Sequence, residues 1–219
     1  MLNFKLVIIK MSINNVYKNA FPIPGLFGLV ICGGKSSRMG YDKSLLNYFG
    51  KPQRYHVHEM LSRFCEKVFI SCNEQQADGI DREYETLTDL EYYSDAGPMS
   101  GLLSALTSFS HNDFLMVGCD YPFLEENDIA DFLLLNRNQN AAAFYNDTAN
   151  TYEPVLAYYN RKVKRELMEM FKTGNYSLRD FLKTSNAAKY YPTDKMAIRS
   201  IDTMEEFIET KALLNNDLC

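Results

Sequence analysis

The sequence predicts an α/β fold, a three-layer α/β/α sandwich around a mostly parallel sheet, on three observations. Apolar runs of strand length alternate with helix-period segments along the whole chain. The first strand, helix and second strand follow in an order that implies a right-handed crossover and parallel pairing. The polar residues best suited to chemistry fall just after strands, where ligands bind in such sheets.

The elements follow in order. Residues 26–32 (LFGLVIC) form a short apolar run with β-branched residues, a buried strand. Residues 33–42 are small, polar and basic, too glycine-rich for a regular element. Residues 43–50 make a short amphipathic turn. Residues 51–65 read as a helix starting at Pro52, and 67–72 (KVFISC) as the second strand. A polar connection, 73–81, leads to a short strand at 84–88. Pro98 opens a buried helix running through LLSALTSF to Phe109. Strand 113–118 (DFLMVG), helix 125–137, strand 140–145 and strand 152–159 come next. Residues 161–171 are an amphipathic helix, and 177–183 a short one with Ser177 and Asp180 in a capping-box pattern. Short strands at 187–191 and 196–201 precede a closing helix at 203–214, with Thr203 capping and Glu206 reaching back.

Composition narrows the classes. The chain has 219 residues, 46% hydrophobic and 23% charged, which suits one soluble domain with a full core, spanning 26–219. Residues 1–25 read as an N-terminal extension, partly disordered, in which Met11 is a second candidate start. The net charge of −5 argues against nucleic acid as a partner, since a binder shows a basic face. No run approaches the roughly 18 apolar residues of a membrane span, and MLNFKLVIIKMSINN lacks the continuous apolar core of a signal peptide. The five cysteines are odd in number and contain no C-x-x-C, so they read as reduced thiols filling strands of a cytoplasmic protein. His56 and His58, two apart, face different ways on a helix, and His111 stands alone, so the histidines make no metal site by spacing.

The chemistry concentrates after the first strand. Gly33 and Gly34 let backbone N–H groups turn toward an anion. Arg38 as a fork and Lys43 as a point charge supply compensating cations. That is a polyphosphate cradle, and it is neither a Walker A loop nor G-x-G-x-x-G. An acidic chain handling a triphosphate calls for a divalent metal as well. Asp120, directly after FLMVGC, is placed to hold Mg²⁺ against phosphates, its ordinary alternative being a helix cap near Pro122. Asp89 could accept two hydrogen bonds from a guanine edge, with Asp95 competing for the role. Gly97-Pro98 permits close approach of a base or ribose to a helix start.

GGKSSRMGYDKSLLNYFGKP resembles the signature of the molybdenum cofactor guanylyltransferases, approximately L-A-G-G-x-S-x-R-M-G-x-D-K-x-L-L-x-x-x-G-x-P. These belong to a wider group of Rossmann-like nucleotidyltransferases that activate sugars, sugar acids and pterins. Further motifs follow in collinear order from about Phe27 to Ile208. Gly97-Pro98-Met99-Ser100-Gly101-Leu102 matches G-P-[LM]-x-G-[LM], and Cys119-Asp120-Tyr121-Pro122-Phe123 matches C-D-x-P-F. Glu153 to Tyr159 matches E-P-[LV]-x-A-x-Y, Ser177-Leu178-Arg179 matches S-L-R, and Asp202-Thr203-Met204-Glu205-Glu206 matches D-T-x-E-E. Departures are Ile31-Cys32 for Leu-Ala, Gln53 at a commonly apolar position, and Ser200 where some members carry Asn.

The resemblance implies a sheet of the nucleotide-diphospho-sugar transferase type and transfer of GMP from GTP to molybdenum-molybdopterin, with Mg²⁺ as cofactor. It implies nucleotide-binding positions at Ile31, Cys32, Gly33, Gly34, Lys43, Asp89, Gly97, Pro98 and Asp120. Arg38, Lys43 and Asp120 would be catalytic, and Asp202 would join Asp120 on the metal. Glu153, Arg161, Arg179 and Lys183 are candidates to hold the pterin, and molybdoenzymes or their chaperones are implied partners. Two rivals remain: a cytidylyltransferase of the same fold acting on molybdopterin or a sugar alcohol phosphate, and a non-catalytic nucleotide-binding regulator. Arg38, Lys43 and Asp120 together argue against the regulator, which needs the cradle but not the metal-bearing carboxylate.

Overall fold

The computed structural model describes residues 20–32 and 42–216, leaving aside the side chains of Gln75, Asn215 and Asn216. The predicted cradle residues Gly33, Gly34 and Arg38 lie outside the described residues, as do 1–19.

The first strand, β1 (Ile23–Ile31), starts three residues earlier than its apolar run suggests. It pairs in parallel with β2 (Cys65–Cys72) on one side and β4 (Asp113–Gly118) on the other. β3 (Thr86–Thr88) flanks β2, and β6 (Thr151–Tyr159), β5 (Ala141–Asn146) and β7 (Ala188–Tyr190) extend the far side. Among the described residues this gives a seven-stranded sheet of order β3-β2-β1-β4-β6-β5-β7. β6 runs antiparallel to both its neighbours, while the remaining pairs are parallel. The predicted three-layer, mostly parallel Rossmann-like sheet is therefore what the chain forms, with one reversed strand inside it.

The two faces follow from the period-two alternation of a strand. Val30 and Cys32 join Tyr55, Val57, Ile129, Phe132 and Leu133 in one core. Leu29 and Ile31 join Met99, Leu102, Leu167, Phe181 and Leu182 in the other. The first face is covered by helices α1 (Gln53–Leu61) and α4 (Glu126–Asn136). The second is covered by α3 (Pro98–Ser108), α5 (Lys164–Lys172) and α6 (Leu178–Thr184). Phe114 and Phe132 are fully buried, so cutting either to Ala removes ~3–5 kcal/mol. A short α2 (Glu74–Ala77) and a closing α7 (Met204–Asn216) complete the helices with single 3₁₀ turns between. No helix among the described residues is long and apolar enough to cross a membrane.

Several element readings change. Residues 196–201 form no strand: Lys195–Ile198 is a 3₁₀ turn, because the Asp194 carboxylate accepts from the Met196 N–H at 2.8 Å and starts a turn there. The polar connection at 73–81 contains α2, built by a reciprocal Asn73–Gln76 capping box. At α6 the capping box is half made. The Ser177 hydroxyl accepts from the Asp180 N–H at 3.1 Å, but the Ser177 N–H goes to Asn175 instead. At α7 both halves form between Thr203 and Glu206.

Candidate active site

Because chain order and strand order part company around β1, a crevice opens at the carboxyl ends of β1 and β4. Pairing there continues one step past the strands, with the Cys119 N–H donating to the Ile31 carbonyl at 3.1 Å. The thiols of Cys32 and Cys119 therefore lie side by side, and both residues are buried. The next residue on the β4 side is Asp120.

Two features place Asp120, and a third places Asp202. The Asp120 carboxylate folds back over Gly118, where an added Cβ would lie 2.6 Å from its Oδ1 and 3.0 Å from Val155, so a side chain there would displace the carboxylate. The Asp120 carbonyl accepts from the Ile201 N–H at 2.9 Å, which ties the segment before α7 to the end of β4. The N–H groups of Asp202 and Thr203 then donate to Glu206 Oε2 at 2.8 and 3.0 Å, so Asp202 is held at the start of α7. Lys43 reaches the same spot from the other direction. The Asp42 carboxylate caps its 3₁₀ turn (Lys43–Leu45) by accepting from the Ser44 N–H at 2.9 Å, and it also accepts from Gln76. Lys43 Nζ donates to Asp202 Oδ1 at 2.6 Å, with the lysine side chain 18% and the aspartate 58% exposed.

Electrostatics bind these groups into one unit. Burial pushes the Asp120 pKa up; its own backbone N–H and then Lys43 pull it down, and Asp202 pushes it up again. Tyr48, 3% exposed, lies close enough to feel Asp120 and Glu206, although burial is the main cause of its raised pKa. Its hydroxyl is buried and, among the described residues, has no hydrogen-bond partner. Such a group costs ~1–3 kcal/mol unless something satisfies it.

On the β2 side, Asp89 follows β3 and leans over α3. A Cβ on Gly101 would lie 2.4 Å from Ser71 Oγ and 3.7 Å from Asp89 Oδ1, so helix and sheet edge touch through a glycine. Burial raises the Asp89 pKa to about 6, and no cation among the described residues opposes it. Gly97 precedes α3 with φ +60°, which favours glycine, and Pro98 fills the first turn. A Cβ at Gly97 would meet nothing within 4 Å, so that position answers to backbone conformation and not to crowding.

Comparison with known proteins fits this geometry. The MobA-like NTP transferase domain matches residues 28–189. The chain belongs to this family and is a nucleotidyltransferase. A molybdenum cofactor biosynthesis bifunctional protein of Synechocystis is 29% identical over 83% of the chain, which spans about half (52%) of that longer relative. A molybdenum cofactor guanylyltransferase of Pseudomonas entomophila is 29% identical over 70% of the chain and 80% of its own length. The crystal structure of molybdopterin-guanine dinucleotide biosynthesis protein A from Archaeoglobus fulgidus superposes with a TM-score of 0.71 at 22% identity, covering 87% of this chain and 99% of that one.

In this nucleotidyltransferase, the expected residues Ile31, Cys32, Lys43, Asp89, Gly97, Pro98, Asp120 and Asp202 all lie at the carboxyl end of the sheet. One pterin candidate does not. Arg161 follows the end of the reversed strand β6 and pairs with Asp113, the first residue of β4, at 3.2 Å, at the opposite end of the sheet. Lys183 stands in the last turn of α6, one helical turn beyond Arg179 and toward the start of β7. Glu153 and Arg179 remain near the site. Tyr121 donates to Glu153 at 3.0 Å, and Arg179 Nε donates to the Tyr152 carbonyl at 3.2 Å. Burial raises the Glu153 pKa against the pull of Tyr121 and Arg179. Sequence reasoning missed Tyr48 and Tyr121, which fall at unassigned positions of the motifs. It also missed that Gly101 and Gly118, present in the motif and strand, mark contacts with Ser71 and Asp120.

Proposed function

We propose that this nucleotidyltransferase transfers GMP from GTP to the terminal phosphate of molybdopterin, in its molybdenum-bearing form, releasing pyrophosphate and the guanine dinucleotide form of the cofactor. The observation that carries the reading is the arrangement of Asp120, Asp202 and Lys43 beyond the carboxyl ends of β1 and β4, with no cation among the described residues compensating Asp89. The names borne by the relatives support guanine and molybdopterin as the substrates.

The donor set fits Mg²⁺. Among the described residues no group of three or more His, Cys, Asp or Glu side chains converges. Asp120 and Asp202 would hold the ion, with phosphate oxygens and water supplying the remaining oxygen ligands that Mg²⁺ prefers. When bound, the ion neutralises charge on the polyphosphate and orients it. Asp89, when ionised, accepts from the ring N–H and amino group of guanine. Lys43, with Arg38 and the backbone of Gly33 and Gly34 in the motif, neutralises the departing pyrophosphate. The attacking phosphate is anionic at neutral pH, so no general base is needed, and catalysis rests on positioning and electrostatics. Glu153 and Arg179 face the side on which the pterin would lie. The reading carries with it a cytoplasmic setting and onward delivery to molybdoenzymes or their chaperones.

The test is pyrophosphate release with Mg²⁺ and molybdopterin, with GTP and CTP offered in parallel. Release with GTP alone supports the proposal. Release with CTP alone replaces it by cytidylyl transfer on the same scaffold. Nucleotide binding with no release from either refutes molybdopterin as the acceptor.

A further inference from the structure

The Lys43–Asp202 pair sits where two carboxylates would otherwise share a divalent cation. We propose that the Lys43 ammonium holds the place of that cation in the ligand-free enzyme, so that metal enters only when the nucleotide's polyphosphate draws Lys43 away from Asp202. The inference rests on the nucleotidyltransferase reading and concerns the order of events at that site.

Both oxygens of Asp202 are engaged: Oδ1 by Lys43 Nζ at 2.6 Å and Oδ2 by the Ser200 hydroxyl at 3.3 Å. Lys43 and Asp202 each act on the Asp120 carboxylate as well, so one ammonium serves two acidic groups. The carboxylates cannot easily separate to relieve their repulsion. The Ile201-to-Asp120 backbone hydrogen bond and the Glu206 cap hold the segments that carry them. The movable partner is Lys43, a flexible four-carbon arm on a three-residue turn. A second, independent observation points to a ligand here. Among the described residues the Tyr48 hydroxyl, buried and near enough to Asp120 to feel its charge, has no hydrogen-bond partner.

A divalent cation placed beside Asp120 and Asp202 with Lys43 still between them would meet its repulsion. A polyphosphate resolves the conflict by accepting the ammonium, after which the metal takes the two carboxylates and the phosphate oxygens together. Metal and nucleotide must then each raise the affinity of the site for the other, by the same factor.

The experiment is a calorimetric Mn²⁺ titration of the full chain without nucleotide. Wild type should bind weakly. Lys43→Met and Lys43→Gln should each bind Mn²⁺ at least ~10-fold more tightly, since each removes the ammonium from beside the two carboxylates, and thermal melts check that both variants are folded. Lys43→Met combined with Asp202→Asn should lose the gain. Wild type binding Mn²⁺ as tightly as both Lys43 variants would overturn the placeholder, as would a gain that survives loss of Asp202. Neither result touches guanylyl transfer, which the pyrophosphate assay reads separately.

Discussion

Asp89 offers the sharpest test of base recognition, because the structure gives it a pKa of about 6 and a single cause, burial. Only the ionised carboxylate can accept from both guanine donors. About nine-tenths of it is ionised at pH 7 and about one-tenth at pH 5, so GTP affinity should fall ~10-fold between them through this group alone. The triphosphate titrates in the same range. The assay is therefore the ratio of GTP to CTP affinity, measured by equilibrium binding from pH 5 to 7.5, in which the shared triphosphate cancels. In Asp89→Asn the ratio should be flat with pH. GTP binding at pH 7.5 should drop ~10²-fold or more, from two hydrogen bonds to a charge at ~1.5–3 kcal/mol each. Stability moves in the opposite sense. The folded pKa lies above the ordinary aspartate value of 3.8, so protonation favours the fold. The stability contributed is complete below about 3.8 and is lost as pH rises through about 6. Asp89→Asn should therefore raise the melting temperature at pH 7.5 and leave it nearly unchanged at pH 3.5. A wild-type affinity ratio that does not change with pH would refute the assignment of Asp89 to the base.

Three further outcomes follow from contacts at either end of the sheet. Gly118→Ala places a methyl 2.6 Å from Asp120 Oδ1, so pyrophosphate release should fall ~10²-fold as the carboxylate is displaced. Gly101→Ala forces Ser71 aside and should cost ~1–3 kcal/mol in urea unfolding, part of which a second change, Ser71→Ala, should restore. Arg161→Ala breaks a partly exposed pair at the far end of the sheet. It should cost at most ~1 kcal/mol and leave turnover with molybdopterin unaltered, as a steady-state comparison would show.

What was legible in the sequence was what local pattern determines. The strand β4 is read to the residue, because FLMVGC is an unbroken apolar run bounded by Asp113 and Asp120. The start of α3 was legible because Pro98 fixes it, and that of α7 because Thr203 and Glu206 cap it. Residues 196–201 misled because a run rich in apolar and β-branched residues resembles a strand, whereas one carboxylate, Asp194, turns the chain. The pairing of Lys43 with Asp202 joins residues 159 positions apart and left no local trace. Motif order put both near a nucleotide, yet only the folded chain brings them into contact. Gly101 was visible as a letter of a motif, but its reason, a serine on a neighbouring strand, was not.

The pterin candidates show how one long-range choice decides a functional reading. In sequence, Arg161 and Arg179 are equivalent: each is a cation at the head of a helix in the second half of the chain. An apolar strand pairs equally well in either direction, and YEPVLAYY carries no mark of which it will take. The tight connection from Asn146 to Thr151 decides it. The Asn146 carboxamide accepts from the Ala149 N–H, Asn150 takes φ +51°, and the chain doubles back as an antiparallel β5–β6 hairpin. β6 therefore begins at the carboxyl end of the sheet, with Glu153 beside Tyr121, and ends at the amino end, delivering Arg161 to Asp113. The helix pair α5–α6 then returns the chain to the carboxyl end, where Arg179 meets the Tyr152 carbonyl, before it descends again to Lys183. Four turn residues thus decide that Arg161 and Arg179 stand at opposite ends of the sheet.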